Sequence, residues 1–137
     1  MKLNTILNPS HQEKDEVIRG LWNHNSHYHP VEIKEFLINF TDEKGVVKGG
    51  LIAQTWWNML EVKYLWIDEH YRGKGLGKEM MLRAEAEAKK DDCHKAYVDT
   101  FDFQAKGFYE KLGYREWGRL DGFAGKFERI YLQKNLN

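Results

Sequence analysis

The pattern with the clearest chemical meaning is a cluster of glycines and cations in the middle of the chain. Its members are Arg72, Gly73, Lys74, Gly75, Leu76, Gly77 and Lys78. Glycines let a backbone turn tightly and approach a ligand closely. A helix that begins here would present free amides and the positive end of its dipole, a setting that binds phosphate. The cationic side chains add full charges, so we predict a phosphate-binding loop.

Two common phosphate-binding patterns do not fit this loop. A Walker loop needs serine or threonine after Gly-Lys, but Glu79 follows Lys78, and its first glycine would fall at Arg72. A dinucleotide fingerprint needs a third glycine at the position that Lys78 occupies. The spacing that fits is R-x-x-G-x-G.

The loop must be held by the elements around it, and the apolar periodicity predicts these. Residues 61–68 are rich in β-branched and aromatic side chains, which favours a strand. Leu76, Met80, Ala84 and Ala88 recur every four residues, which predicts a helix directly after the loop. Further helices are predicted at 11–25, capped by Ser10, and at 105–112, and further strands at 31–40, 46–55, 96–101, 114–117 and 127–134. The order is roughly βαβββαβαβ, which indicates an α/β fold with a mixed, mostly antiparallel sheet and helices on both faces.

The composition excludes several classes of protein. A chain of 137 residues has the size of one compact domain, so we expect residues 1–137 to form a single domain. The 21 basic residues balance the 21 acidic ones, which gives no general attraction to nucleic acid or anionic lipid. No segment approaches the roughly 20 apolar residues that span a bilayer, and no signal peptide is apparent. Cys93 is the lone cysteine and is expected to be a packing residue in a cytoplasmic protein.

Two segments resemble signatures of the GNAT superfamily of N-acetyltransferases. Residues 64–77, which contain the glycine cluster, resemble the family's acetyl-coenzyme A motif. Residues 105–114, Ala-Lys-Gly-Phe-Tyr-Glu-Lys-Leu-Gly-Tyr, resemble its later A-x-x-F-Y-E-K-L-G-F signature. The two lie in the family's order, one helix and one strand apart, and the resemblance extends over nearly the whole chain.

The resemblance implies that acetyl-coenzyme A lies where two strands splay apart. The amides of residues 72–78 would hold its pyrophosphate, and the backbone of Leu65, Trp66 and Ile67 would pair with its pantetheine arm. The amide of Ile67 would polarise the thioester carbonyl. Tyr109 matches the family tyrosine that donates a proton to the departing sulfur. No metal is implied.

One position departs from the family pattern. Many members have asparagine three residues before the alanine of the second signature, where it bonds the pantetheine arm, but here the residue is Asp102. An ionised aspartate accepts hydrogen bonds and does not donate them. Either Gln104 takes over this role, or the start of the helix is rebuilt.

Glu61 is the candidate general base. An alkyl amine with a pKa of about 10.4 is mostly protonated at neutral pH and must lose a proton before it attacks a thioester. Glu61 lies six residues before Ile67, the offset of the base in the histone-acetyltransferase branch of the family. Strict alternation would place both on one face of the strand, whereas a bulge, which the family usually has here, would change that facing. The alternative is a solvated glutamate paired with a neighbour such as Lys63.

The acceptor side is less defined. Trp56 and Trp57 would line the acceptor pocket or cap the core, and Tyr28 is a candidate contact to substrate. His24, His27 and His29 are grouped, but no acidic or thiol ligand at suitable spacing completes a metal site, and we predict none.

Three functions remain open at this stage. The first is acetyl transfer from acetyl-coenzyme A to a primary amine of a small molecule or peptide, by direct attack in a ternary complex. The second is an acyl-coenzyme A sensor without turnover. The third is transfer to a macromolecular amine, on a protein or on aminoacyl-tRNA, and RNA would need a basic surface. Polyamine, antibiotic amine, amino acid and peptide acceptors all stay open, and the protein is expected to be a monomer or homodimer.

Overall fold

The computed structural model describes residues 1–137, which divide into two compact units, Met1–Glu32 and Ile33–Asn137. The first unit contains helix α1, His11–Asn25. Its start is fixed by a capping box: the Ser10 hydroxyl accepts from the Glu13 amide at 3.1 Å, and the Glu13 carboxylate accepts from the Ser10 amide at 2.9 Å. The strand expected before this helix is absent, because residues 1–10 have no strand partner.

The second unit is a six-stranded sheet in the order β1-β2-β3-β4-β6-β5. Its strands are β1 Lys34–Thr41, β2 Val47–Trp56, β3 Met59–Ile67, β4 Lys95–Phe101, β5 Arg115–Phe123 and β6 Phe127–Asn135. Its helices are α2 Leu76–Lys90 and α3 Lys106–Lys111, and a short 3-10 turn spans Glu69–Tyr71. Only β3 and β4 pair in parallel. This confirms the predicted mixed, mostly antiparallel α/β fold.

Helix α2 packs against β1, β2 and β3 and buries one face of the sheet. Met80, Ala84 and Ala88 of the predicted apolar stripe are all buried, together with Leu51 and Leu60 of the sheet. We call this the covered face. Strand alternation and the observed register place another set of side chains on the opposite face: Gln54, Glu61, Tyr64, Tyr97, Asp99 and Arg129.

A bulge in β3 determines which side chains share the opposite face. Ile52 pairs with Tyr64 and Ala53 pairs with Val62, so Lys63 is an extra residue on β3. Glu61 therefore lies on the same face as Tyr64, whereas Leu65 lies on the covered face with Leu51, its pairing partner. The facing expected from strict alternation is wrong for this reason.

Two strand bounds also differ from the sequence prediction. Strand β5 continues to Phe123 because it pairs with β6 along most of its length, although an irregularity between Glu116 and Gly118 breaks its alternation. Strand β1 begins at Lys34, opposite Thr55, rather than at residue 31. Cys93 is buried beside the end of α2, as expected for a packing residue, and burial raises the pKa of its thiol.

Candidate functional site

The sheet opens between β3 and β4. Their parallel pairing ends at Val62 and Val98, yet β3 continues to Ile67 and β4 continues to Phe101. The gap between the diverging strands is a cleft of about 1330 Å³, lined also by the glycine loop and by the start of α3. Because the end of β3 has no partner on this side, its backbone is free to bond an extended ligand.

The glycine loop forms one end of the cleft. Gly73 has φ +76° and Gly75 has φ +80°, a left-handed conformation that favours glycine, and no atom lies within 4 Å of where a Cβ would be. Gly75 is the N-cap residue of α2. Gly77 has a different role, since a Cβ there would lie 3.0 Å from the Ile67 side chain and 3.1 Å from Phe108. The glycines thus create open space for a ligand and bring the helix start close to the strand.

Cationic side chains surround this end of the cleft. The Arg72 Nε donates to the Ile67 carbonyl at 3.0 Å, which fixes the loop to the strand before it. Arg72 and Lys78 line the cleft, whereas the Lys74 amine lies 5.2 Å from the centre of the Tyr71 ring and does not line it. Free amides at a helix start, together with these charges, fit a pyrophosphate group.

The backbone of β3 offers alternate amides to the cleft. The Asp68 amide donates to the Lys48 carbonyl of β2 at 2.8 Å. Because successive amides along a strand point to opposite sides, those of Ile67 and Leu65 point away from β2, toward the cleft. The Trp66 amide points to β2, so this residue lines the cleft without offering its N–H.

Tyr109 lies at the base of the cleft. Tyr109 is only 4% exposed, and its ring packs edge-on against the ring of Tyr114, with 5.9 Å between the ring centres. Burial, assisted by the negative charge of Asp99, raises the pKa of Tyr109 to about 12. Because of this high pKa, the Tyr109 hydroxyl is protonated at neutral pH. It has no hydrogen-bond partner within the chain and is therefore available to a ligand.

Glu61 lies on the opposite face, where the two strands begin to diverge, and lines the cleft. Its Oε1 accepts from Gln54 Nε2 at 2.9 Å, and its carboxylate interacts with the Tyr97 hydroxyl. The Trp56 indole donates to the same hydroxyl at 3.0 Å. Burial raises the pKa of Tyr97 to about 12, so the neighbours of Glu61 are neutral hydrogen-bonding groups.

Asp99 and Arg129 also line the cleft, and the sequence analysis missed both. Arg129 Nη2 donates to Asp99 Oδ2 at 2.8 Å, and the guanidinium lies 5.5 Å from the centre of the Tyr131 ring. Asp99 alternates with Tyr97 along β4, which is a signal for a shared face. Arg129 is 30 residues away, so only the pairing of β4 with β6 could reveal the contact.

The two candidates for the pantetheine contact occupy different places. Asp102 does not line the cleft, because its carboxylate accepts from the Glu128 amide at 3.3 Å. Gln104 does line it, with its Oε1 accepting from the Phe101 amide at 2.9 Å and the Thr100 hydroxyl at 3.2 Å. The Gln104 amide nitrogen is therefore the remaining donor at this position.

Two of the predicted acceptor residues, Trp56 and Trp57, lie outside the cleft lining. Trp56 and Trp57 stack at 5.3 Å at the β2–β3 hairpin, where Trp57 and Asn58 have φ values of +47° and +61°. Two residues with positive φ are the geometry of a type I′ hairpin turn. Tyr28 belongs to the first unit, where its ring meets His24 edge-on at 5.6 Å. No group of three or more His, Cys, Asp or Glu side chains is arranged to hold a metal ion.

No helix of the chain is both long and apolar enough to span a bilayer.

Comparison with known proteins gives concordant results. The profile of the acetyltransferase (GNAT) family matches residues 3–114. The chain is similar to blasticidin-S acetyltransferase of Streptomyces morookaense, with 46% identity over 74 residues, 53% of this chain and 54% of that protein. That match spans about half of the relative's length. The chain is also similar to an acetyltransferase of Agrobacterium fabrum, with 31% identity over 103 residues, which is 75% of this chain and 75% of that protein.

A solved structure extends the similarity to the whole chain. The crystal structure of a proposed acetyltransferase from Agrobacterium tumefaciens superposes with a TM-score of 0.91 at 25% identity, covering 98% of this chain and 99% of that one.

Proposed function

The chain belongs to the GNAT family of acetyl-coenzyme A-dependent N-acetyltransferases, and from this premise we propose that it transfers the acetyl group to a primary amine of a small molecule. The transfer proceeds by direct attack of the amine while both substrates are bound. The observation that carries this proposal is a single cleft lined by the glycine loop, the unpaired end of β3, Tyr109 and Glu61.

The donor substrate supplies an activated thioester. The amides at the start of α2, with Arg72 and Lys78, hold its pyrophosphate. The amides of Leu65 and Ile67 bond its extended arm, and the Ile67 amide stabilises negative charge on the carbonyl oxygen during attack. The Gln104 amide nitrogen adds one donor to the arm, the role that the family gives to asparagine.

Glu61 takes the proton from the acceptor amine. Gln54 and the Tyr97 hydroxyl orient its carboxylate, and both are neutral, so they accept either protonation state of Glu61. A base held by neutral donors can gain and lose a proton without breaking an ion pair. Its place at the divergence of the strands brings it to the ligand cleft.

Tyr109 stabilises the departing sulfur. Its pKa of about 12 lies well above the value of about 8.5 for a free thiol, so complete proton transfer to the thiolate is uphill. The hydroxyl therefore acts first as a hydrogen-bond donor to the developing negative charge. Solvent completes the protonation after the product has begun to leave.

The acceptor is a small amine, and an antibiotic amine is one candidate class because a relative is named as a blasticidin-S acetyltransferase. The neutral overall charge of the chain, with 21 basic and 21 acidic residues, gives no support to an RNA-linked acceptor. We place the protein in the cytoplasm, where a lone buried cysteine stays reduced.

The experiment is thiol release from acetyl-coenzyme A in the presence of a panel of primary amines, with calorimetric binding of the donor in parallel. Release that depends on the amine supports the proposal, and binding without release with any amine supports a sensor. Absence of binding contradicts the assignment of the glycine loop.

A matched pair of variants tests the loop itself. Gly75 and Gly45 both have φ +80° and open space around a Cβ, but Gly45 lies in the β1–β2 hairpin. Gly75→Ala should raise the KM for acetyl-coenzyme A about 10-fold, because alanine costs roughly 1–2 kcal/mol in this conformation and the loop will shift. Gly45→Ala should cost similar stability and leave that KM unchanged. Equal effects of the two on KM would contradict the loop's role.

A further inference from the structure

The guanidinium of Arg129 is held in place, but only one of its three nitrogens donates a hydrogen bond within the chain. It has a single hydrogen bond within the chain, from Nη2 to Asp99. Its Nε is buried without a partner, whereas Nη1 has no partner and is not buried. A buried donor left unpaired is rare in native proteins and calls for an explanation. Neutralising Asp99 alone would require only one donor.

Arg119 on the adjacent strand shows the alternative. Its Nε and Nη2 both donate to Glu116, at 2.8 and 2.9 Å, and its Nη1 donates to Glu128 at 2.6 Å. All three nitrogens are bound by carboxylates of the chain, as expected for a structural arginine. Arg129 therefore has unpaired donors that Arg119 does not have, and Arg129 lines the ligand cleft.

Charged residues of both signs line the part of the cleft around Arg129. Glu61 and Asp99 are its acidic residues, and Lys63 at the bulge and Arg129 are its basic residues. Asp99 is already paired with Arg129. Glu61 is therefore the acidic residue in this part of the cleft that can meet the amine of an acceptor. A ligand with a positive and a negative end matches this arrangement better than a simple cation does.

We propose that Arg129 binds a carboxylate on the acceptor, so that the acceptor is a zwitterion carrying both the reacting amine and a carboxylate. An arginine N–H forms a charge-assisted hydrogen bond with a carboxylate, and Nη1 is the Arg129 nitrogen that is neither paired nor buried. Asp99 and the Tyr131 ring hold the fork in position before the ligand arrives. This inference rests on the proposed transfer to an amine and adds the chemical class of the acceptor.

The first test needs no acetyl transfer. In a ¹H–¹⁵N spectrum, the Nε–H signal of Arg129 is assigned by its loss in Arg129→Lys, and that of Arg119 by its loss in Arg119→Lys. Titration with butyrate should shift the Arg129 signal and not the Arg119 signal, and butyramide should shift neither. The inference is overturned if butyrate leaves Arg129 unmoved or moves both arginines alike.

The second test uses turnover. Amino acids from glycine to 6-aminohexanoate are compared with their carboxamides as acceptors. Wild-type protein should favour a carboxylate acceptor over its amide by roughly 10- to 100-fold in kcat/KM, through a lower KM for the acceptor. Arg129→Lys should lose most of this preference at an unchanged KM for acetyl-coenzyme A, and Arg119→Lys should keep it. Amide acceptors that react equally well with wild-type protein overturn the inference.

The two tests separate this inference from the function on which it rests. A butyrate shift at Arg129 without transfer to any amine contradicts the proposed function and leaves the carboxylate site intact. Amine-dependent thiol release without a shift at Arg129 contradicts the carboxylate site alone.

Discussion

Glu85 and Glu61 lie on opposite sides of the same sheet and illustrate two uses of a carboxylate. Glu85 lies on α2, which packs on the covered face, and is only 4% exposed. Lys134 Nζ donates to one of its carboxylate oxygens and the Tyr114 hydroxyl donates to the other, both at 2.8 Å. Glu61 is only partly buried, and its partners are the neutral side chains of Gln54 and Tyr97. Glu85 is therefore paired with a cation, whereas Glu61 is held by neutral groups.

The two carboxylates have different tasks in the molecule. The buried Glu85 links α2 to Lys134 of β6 and to the Tyr114 hydroxyl. A carboxylate oriented by neutral donors beside a cleft keeps its orientation in both protonation states. The covered face should therefore govern stability, and the cleft should govern turnover.

The largest expected effect is on the covered face. Glu85→Gln leaves the Lys134 charge without its partner in a largely buried site, and we expect a loss of about 3 kcal/mol in the free energy of unfolding. Urea denaturation measures this loss. The double variant Glu85→Leu/Lys134→Met should recover most of it, because no unpaired charge remains. A single variant as stable as wild type would contradict the assignment of Glu85 to the core.

The matched change on the other side is Glu61→Gln. We expect kcat to fall by about 10²-fold or more, because the amide cannot accept the amine proton. The urea midpoint should change little, since no ion pair is broken. Steady-state kinetics at several pH values measures the effect, and a higher pH should partly rescue the variant by deprotonating free amine in solution. An unchanged kcat would return Glu61 to a purely structural role.

Tyr109→Phe affects both regions, because Tyr109 packs in the core and also lines the cleft. Its ring packs in the core, but its hydroxyl has no partner in the chain. We expect kcat to fall roughly 10- to 100-fold through loss of a hydrogen bond to the departing thiolate. Stability should not decrease. A variant that loses stability and activity in parallel would contradict the role as a donor to sulfur.

The smallest expected effect concerns alkaline pH. The folded pKa of Tyr109 is about 12, above an unfolded value of about 10, so the unfolded state releases its proton first as pH rises. The stabilisation is complete below pH 10 and is lost between about pH 10 and 12, with about 1 kcal/mol lost at pH 11. Urea titrations at pH 9 and 11 should show a smaller loss in Tyr109→Phe by this amount. Equal losses in both proteins would mean that the hydroxyl is not desolvated.

The sequence predicted the features that are determined by local patterns of residues. Helix α2 begins at Leu76 because the glycines before it are unsuited to a helix, and its stripe of small and apolar residues is the buried stripe. These features depend on neighbours within a few positions, which a single sequence contains.

Features that depend on pairing between distant segments were not accessible in this way. The position of the bulge, at Lys63, is visible only in the register against β2, and it decides between the two facings of Glu61 relative to Leu65 that the sequence left open. The Arg129–Asp99 contact requires β6 to lie beside β4. The extent of β5 is likewise set by β6, since an irregular alternation gives no clear periodicity to follow.

The buried Cys93 makes the protein its own reporter of unfolding. It is the one thiol of the chain, it is 5% exposed, and burial holds its pKa above the usual value. A colorimetric disulfide reagent that counts released coenzyme A will therefore meet almost no background from folded enzyme. The same reagent, in the absence of substrate, will count unfolded molecules one sulfur at a time. One reagent can thus follow catalysis and, in a separate sample without substrate, the integrity of the fold.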